Sequence, residues 1–156
     1  MKKLFCLVMA LCMFASCACA QSNDTFTLWF EDGFSLSIPE GWVYYAVSTD
    51  DAGAGVRYVL GDGNGSRYMY IQRQSTDISD VSALGEAIDD REDWEKTSEL
   101  RFNDQEFIAF IVPDCNISGC ATILDGDLLT FVFSPQNDSV YMLTATEIMQ
   151  SFSSQS

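Results

Sequence analysis

The sequence predicts an α+β domain in which a mostly antiparallel β-sheet is flanked by helices. Through most of the chain, apolar residues occupy every second position, as they do in strands with one buried face. Short turn sequences rich in Gly, Asp and Asn separate these segments and predict hairpins. In two segments the apolar period lengthens to three or four residues, which predicts helices.

The first half of the chain alternates in this way through five short segments. Phe26, Leu28 and Phe30 occupy every second position of the first one. The polar segment 50–55 predicts a loop, and the Gly-rich segment 61–66 tolerates the positive φ angles of a hairpin turn. The predicted strands are residues 25–30, 34–38, 42–47, 56–60 and 67–73.

The first predicted helix covers residues 77–93. Val81, Leu84 and Ile88 are spaced i, i+3 and i+7, so they form one apolar stripe. The densest run of charge in the chain, residues 89–96, follows on the opposite side of this helix. That run predicts a solvated face, with docking of a basic partner as the alternative.

The second predicted helix covers residues 138–152. Val140 and Leu143 are predicted on its buried side, together with Ile148 or Met149. The residues able to cap its first turn are Asn137 and Asp138.

Four further strands are predicted between the two helices. Residues 107–112 are apolar at every position, which is typical of a central strand covered on both faces. Asn103-Asp104 and Asp125-Gly126-Asp127 predict tight turns. The four strands are residues 97–102, 105–112, 120–124 and 128–133.

Two short motifs resemble those of PsbP-like domains. Gly33-Phe34-Ser35-Leu36-Ser37-Ile38-Pro39-Glu40-Gly41-Trp42 is similar to the pattern that opens these domains, and Ile148-Met149-Gln150-Ser151-Phe152 is similar to their last helix. The fold is shared with the extrinsic PsbP protein of photosystem II and with a Ran-binding nuclear import factor. Over about residues 24–153 the resemblance implies an α-β-α sandwich. It implies no particular activity and carries over no binding residue.

Residues 1–20 read as a secretory signal peptide: two lysines, an apolar run over 4–15 and the small residues before Gln21. We expect cleavage between Ala20 and Gln21, which leaves one domain over residues 21–156. The alternative is a lipoprotein acylated at Cys17. Both readings predict an exported protein that is secreted, periplasmic or on the cell surface.

The chain is strongly acidic, with a formal net charge of −15. Without residues 1–20 it keeps 6 of its 8 basic residues and all 23 acidic ones, so the charge becomes 6 − 23 = −17. Such a surface repels nucleic acid and anionic lipid. One interpretation of this charge is that it attracts cations or basic partners. The alternative is that it only keeps the protein soluble. No later apolar stretch is long enough to predict insertion into a membrane.

Cys115 and Cys120 are the two cysteines that remain after cleavage. In an exported chain they predict a disulfide that closes a small loop, with free thiols as the alternative. Two thiolates supply half of a tetrahedral zinc shell, and the chain has no His to complete it. We therefore predict no metal site and no cofactor.

The candidate chemistry is limited by the same absence of His, which excludes Ser-His-Asp and Cys-His catalysis. Asp62, Asn64 and Ser66 match the start of a calcium loop, but Arg67 and Arg73 occupy positions that need Gly and Glu. A hairpin turn is the favoured interpretation.

Aromatic residues on the predicted strands could line a groove for a sugar or peptide, although strand packing is the favoured interpretation. They are Trp29, Trp42, Tyr44, Tyr45, Tyr58, Tyr68 and Tyr70.

The sequence therefore predicts an exported, non-catalytic domain that binds an unidentified protein or envelope component. One alternative is a cation (calcium)-binding domain. The other is a carboxylate-dependent hydrolase, which requires two acids facing each other in a concave pocket, one of them with a raised pKa.

Overall fold

The structure, a computed structural model, describes residues 24–155. The predicted signal peptide, its cleavage site between Ala20 and Gln21, and Cys17 lie outside the described residues. In chain order the elements are β1 Thr25–Phe30, β2 Phe34–Pro39, β3 Val43–Tyr45, α1 Thr49–Gly53, β4 Val56–Gly61, β5 Tyr68–Ser75, α2 Val81–Asp89, β6 Glu95–Phe102, β7 Gln105–Val112, a 3-10 turn Pro113–Cys115, β8 Ile117–Leu124, β9 Asp127–Ser134, α3 Ser139–Gln150 and β10 Ser153–Ser154.

The strands form two antiparallel sheets. The large sheet has seven strands in the order β3-β4-β5-β9-β8-β7-β6, and the small sheet has three in the order β1-β2-β10. Four hairpins pair as their turn sequences predict, β1 with β2, β4 with β5, β6 with β7 and β8 with β9, whereas β2 and β3 lie in different sheets although a turn joins them. The α+β class predicted from the sequence is confirmed.

Strand β7 shows why the large sheet is covered on both faces. Its residue Phe107 belongs to the main core, which also contains the buried residues of β2 and α3. The adjacent Ile108 and Phe110 point the other way, into a smaller core under α2. Because successive side chains of a strand face opposite sides, one apolar run serves both cores. The helices therefore sandwich the large sheet, as the resemblance implies.

Helix α2 packs its predicted stripe against the sheet. Leu84 and Ile88 are buried in the smaller core, and Trp94 stacks on Phe110 with ring centroids 4.2 Å apart. The helix is shorter than predicted at both ends: the carboxylate of Asp80 accepts a hydrogen bond from the Ala83 N–H and sets its start, and the helix ends at Asp89.

Helix α3 forms where the sequence predicts it, and Ile148 and Met149 are buried as predicted, but the rest of its buried face is different. Val140 and Leu143 are 60% and 68% exposed, so their predicted burial is wrong. The buried residues are Tyr141, Ala145, Ile148 and Met149. Tyr141 fixes this orientation, because its hydroxyl donates a 2.5 Å hydrogen bond to the backbone carbonyl of Tyr68 on β5.

Three elements were not predicted, one of them the short 3-10 turn Pro113–Cys115. Helix α1 lies in the segment expected to be a loop, and the Ser48 side chain caps it by accepting from the Asp51 N–H. Strand β10 consists of two residues that extend the small sheet beside β2. No helix within residues 24–155 is long and apolar enough to cross a membrane.

Arg73 ties the two sheets together. Its guanidinium, on β5, donates a hydrogen bond of 2.6 Å to the backbone carbonyl of Asp32, in the β1–β2 turn. It also donates 2.9 Å to the carboxylate of Asp127 at the start of β9. The turn sequences around Asp32 and Asp127 therefore position the small sheet over the large one.

The large sheet ends at β6 on one side and at β3 on the other. Most of β6 is exposed, and its side chains include charges of both signs. Strand β3 has only three residues. The charged residues of β6 are Glu95, Lys96, Glu99 and Arg101.

Candidate functional site

A polar cleft of about 500 Å³ opens where both sheets meet the start of α3. Four segments distant in the sequence form it: the residue before β1, the β2–β3 turn, the β4–β5 hairpin and the first turns of α3. We call it the acidic cleft. Its lining residues are Asp24, Pro39, Glu40, Gly41, Trp42, Asp62, Arg67, Tyr141 and Thr144.

The β2–β3 turn sets one wall of the acidic cleft. The Glu40 N–H donates 2.7 Å to the backbone carbonyl of Asp24, which holds the turn against the start of β1. Gly41 has a φ of +87°, a conformation that other residues seldom adopt. The chain then presents Trp42 to α3, with its ring centroid 6.0 Å from that of Tyr141.

Arg67 is the cation that lines the cleft, and Asp138 neutralises it. The Nε and Nη2 atoms of Arg67 each lie 2.8 Å from the same carboxylate oxygen of Asp138. The other oxygen of Asp138 accepts from the Tyr141 N–H and caps α3. The hydrogen bond from Tyr141 and the nearby Arg67 hold the pKa of Asp138 below its ordinary value. The helix cap and the ion pair therefore fix one another.

Asp62 supports the hairpin that carries Arg67. Its carboxylate accepts hydrogen bonds from the N–H groups of Asn64 and Ser66, both at 3.2 Å, and from the Ser66 hydroxyl at 2.6 Å. Burial opposes its ionisation, but these hydrogen bonds outweigh burial and lower its pKa. The residues that match the start of a calcium loop thus stabilise the predicted hairpin turn.

Tyr141 lies at the base of the cleft, and its hydroxyl group stays protonated. The side chain is fully buried, and burial raises the pKa of its hydroxyl far above the ordinary value. Its hydroxyl is committed to the Tyr68 carbonyl, and the Arg67 guanidinium carbon lies 5.9 Å from its ring centroid. Tyr141 is therefore a neutral side chain buried beneath the cleft.

The cleft carries an excess of negative charge. Asp24 and Glu40 are exposed at its rim and Asp62 lies on its wall, while the charge of Arg67 is balanced by Asp138. Since carboxylates attract cations, this arrangement is suited to hold a positively charged group beside Trp42.

The described residues offer no site for either alternative function, calcium binding or carboxylate-dependent hydrolysis. Within residues 24–155, no group of three or more Cys, Asp or Glu side chains is arranged to hold a metal ion. A hydrolase requires a carboxyl group with a raised pKa in a concave pocket, whereas the pKa of Asp62 in the cleft is lowered.

The predicted disulfide between Cys115 and Cys120 is absent from the described part of the chain, where both are free. Cys115 is exposed in the 3-10 turn, whereas Cys120 is buried in the main core. Strand β8 begins at Ile117, earlier than the predicted start at residue 120. The six residues 115–120, which were expected to form a small loop, therefore span the end of the 3-10 turn and the start of a strand.

The aromatic residues considered for a groove are dispersed over the molecule. Trp42 lines the acidic cleft, whereas Tyr58 packs its ring 5.0 Å from Phe30 in the main core. Tyr45, Tyr68 and Tyr70 form a row with centroid distances of 5.2 and 6.1 Å. The other two, Trp29 and Tyr44, are exposed.

Sequence reasoning did not identify Arg67 or Tyr141 as site residues. The one available indication was Asp138, a predicted cap of α3 whose free oxygen could bind a cation. Which Arg would reach it depends on the fold, since Arg67 and Asp138 are 71 positions apart.

Compared with solved structures, the chain is similar to the solution structure of cyanobacterial PsbP from Synechocystis sp. PCC 6803. The TM-score is 0.57 at 18% sequence identity, and the match covers 88% of this chain and 96% of that one. No protein-family model and no curated protein sequence matches the chain. The fold is therefore PsbP-like, and the comparison extends to the fold alone.

Proposed function

We propose that this PsbP-like domain is an exported, non-catalytic binding domain that holds a basic side chain of a protein partner in the acidic cleft. The observation that carries the proposal is the charge of the cleft. Three carboxylates line it, and its cation, Arg67, is balanced by Asp138. The formal charge of −17 left after removal of residues 1–20 strengthens the attraction of a basic partner.

The chemistry of the walls favours a Lys or Arg side chain over a free metal ion. Trp42 offers an aromatic face, and cations bind such faces more strongly when they are shielded from water. The protein already contains one contact of this kind, since the Arg91 guanidinium carbon lies 4.2 Å from the ring centroid of Trp94. A volume of about 500 Å³ also falls in the usual range for ligand sites.

The first test is a titration of the processed protein with a tetralysine peptide blocked at both ends. The chain has three Trp residues, and each gives its own indole N–H signal in an NMR spectrum. We expect the signal of Trp42 to shift and those of Trp29 and Trp94 to remain in place. Shifts of equal size at all three would contradict a site in the cleft.

Matched charge variants separate the cleft from the general acidity of the surface. Asp24→Asn with Glu40→Gln removes two exposed carboxylates from the rim, and we expect peptide affinity to fall about threefold to tenfold. Glu92→Gln with Asp93→Asn makes the same charge change away from the cleft. Equal losses in the two double variants would refute the cleft as the binding site.

The natural partner can be sought with the same variants. Affinity capture from the envelope of the source cell should recover a protein with the unmodified domain and with the Glu92/Asp93 variant, but not with the Asp24/Glu40 variant. Intact mass of the exported protein tests export separately, because it reports cleavage after Ala20 or acylation at Cys17.

A further inference from the structure

We propose that a second site, an apolar groove beside α3, binds a neutral hydrophobic small molecule. The groove has a volume of about 340 Å³ and lies between α3 and strands β6, β7, β8 and β9. We call it the α3 groove. The side chains that define it are Leu100, Phe102, Ala109, Phe133, Met142 and Met149.

The α3 groove is separate from the acidic cleft. Tyr141 and Thr144 of α3 line the cleft, whereas Met142, Ala145 and Met149 line the groove. The two sites share no lining residue, so binding at one can be tested without altering the other.

The lining of the groove excludes a charged ligand. It contains no Asp, Glu, Lys or Arg, in a chain that carries 31 such residues, 8 basic and 23 acidic. A charged group would lose its hydration there and gain no partner. The excess of negative charge elsewhere on the protein additionally repels anions.

Two of the three hydroxyl groups on the groove wall, those of Ser118 and Thr146, are already used within the protein, and the other polar side chains, Thr97 and Gln150, are exposed to solvent. The Ser118 hydroxyl lies 3.1 Å from the sulfur of Met142, to which it donates. The Thr146 hydroxyl donates 2.8 Å to the backbone carbonyl of Met142. A peptide would place its own backbone N–H and C=O groups against these committed hydroxyls and apolar side chains, which is costly. A small apolar molecule has no such groups to satisfy.

Two methionines let the groove adapt to its occupant. Met142 and Met149 approach it from positions two turns apart on α3, and an unbranched thioether side chain can change shape at little cost. The groove volume lies at the lower end of the range for small-molecule sites. We therefore expect a compact aromatic or branched aliphatic ligand.

The binding test uses two dyes that share a ring system. N-phenyl-1-naphthylamine is neutral, and 1-anilinonaphthalene-8-sulfonate is the same framework with a sulfonate. We expect saturable fluorescence enhancement with the neutral dye and at least tenfold weaker binding of the sulfonate. Equal affinities, or no saturable binding of the neutral dye, would overturn the proposal.

The site of binding can be read from methionine methyl NMR. After removal of residues 1–20, the chain keeps Met69, Met142 and Met149. Met69 is buried in the main core and does not line the groove. The neutral dye should shift the methyl signals of Met142 and Met149 and leave that of Met69 in place. Unchanged signals at Met142 and Met149 would place the dye elsewhere and refute the site.

A substitution that fills the groove can be compared with the same substitution elsewhere on the protein. Ala109→Leu adds bulk to a half-buried position on the floor, and we expect it to weaken dye binding at least tenfold. Ala52→Leu makes the same change on exposed α1 and should leave binding unchanged. Equal binding by both variants counts against the groove. If Ala109→Leu does not fold, the methionine signals of the unmodified protein still decide the question.

Discussion

Phe152 closes the main core from the end of α3, and its removal is the strongest test of the packing described above. The side chain is fully buried. Its ring centroid lies 5.1 Å from that of Phe107, 5.7 Å from Phe34 and 6.0 Å from Phe131. These partners come from both sheets, so Phe152→Ala leaves a cavity at the point where the sheets and α3 meet.

The expected cost of Phe152→Ala is about 3 to 5 kcal/mol, which is typical of Phe removed from a well-packed core. The described domain has 155 − 23 = 132 residues. At about 2.1 cal/mol/K per residue, its entropy of unfolding is about 0.28 kcal/mol/K. The melting temperature should therefore fall by about 11 to 18 °C.

Urea denaturation followed by circular dichroism measures this loss. Leu143→Ala is the control, because Leu143 lies on the same helix but is largely exposed, and its loss should change stability by no more than about 0.5 kcal/mol. Phe152→Leu should fall between the two. A cost below about 1 kcal/mol for Phe152→Ala would show that the aromatic contacts are not formed as described.

Three further predictions concern hydrogen bonds, acid and the thiols. Tyr141→Phe leaves a backbone carbonyl without its hydroxyl donor and should cost about 1 to 2 kcal/mol in urea denaturation; an unchanged midpoint would contradict that bond. The lowered pKa values of Asp62 and Asp138 give stability that is complete above their ordinary pKa and is lost as pH falls through the lowered values, so the free energy of unfolding should drop as pH falls below the ordinary Asp value of 3.8. Asp138→Asn should show a shallower drop, and an identical pH profile would contradict this assignment. Cys115 should react with Ellman's reagent in the native protein, whereas Cys120 should react only after unfolding, because it is buried and burial raises the pKa of its thiol; two unreactive thiols in denaturant without reductant would instead show that they are bonded.

Local patterns were sufficient to predict most of the fold. The apolar run of β7 predicted a central strand with two covered faces, and the structure places alternate residues in two cores. The stripe of Leu84 and Ile88 correctly identified the buried side of α2. The Asp125-Gly126 turn was predicted from two residues that both adopt positive φ, at 53° and 84°.

Contacts distant in the sequence account for what was missed. In α3 the apolar residues Val140 and Leu143 are exposed, because the hydrogen bond of Tyr141 to the Tyr68 carbonyl selects a different face. Hydrophobicity alone cannot indicate that bond. Helix α1 is the exception, because it was missed for a local reason: it has no buried residues and depends on its Ser48 cap, so no apolar period marks it.

The acidic cleft was unpredictable because its contacts are distant in the sequence. Its walls bring Trp42 and Arg67 to Tyr141, and only the pairing of strands across two sheets determines this proximity. Composition indicated a preference for basic partners, but it could not indicate which of the 23 acidic residues would meet.

The two ends of the large sheet differ in how readily another molecule could extend it. A second chain that joined along β6 would have to strip water from Glu95, Lys96, Glu99 and Arg101, which disfavours polymers built by strand addition. Strand β3 has no charged residue, but its three positions offer little length for such a contact. Charge therefore disfavours strand addition along β6, and short length disfavours it along β3.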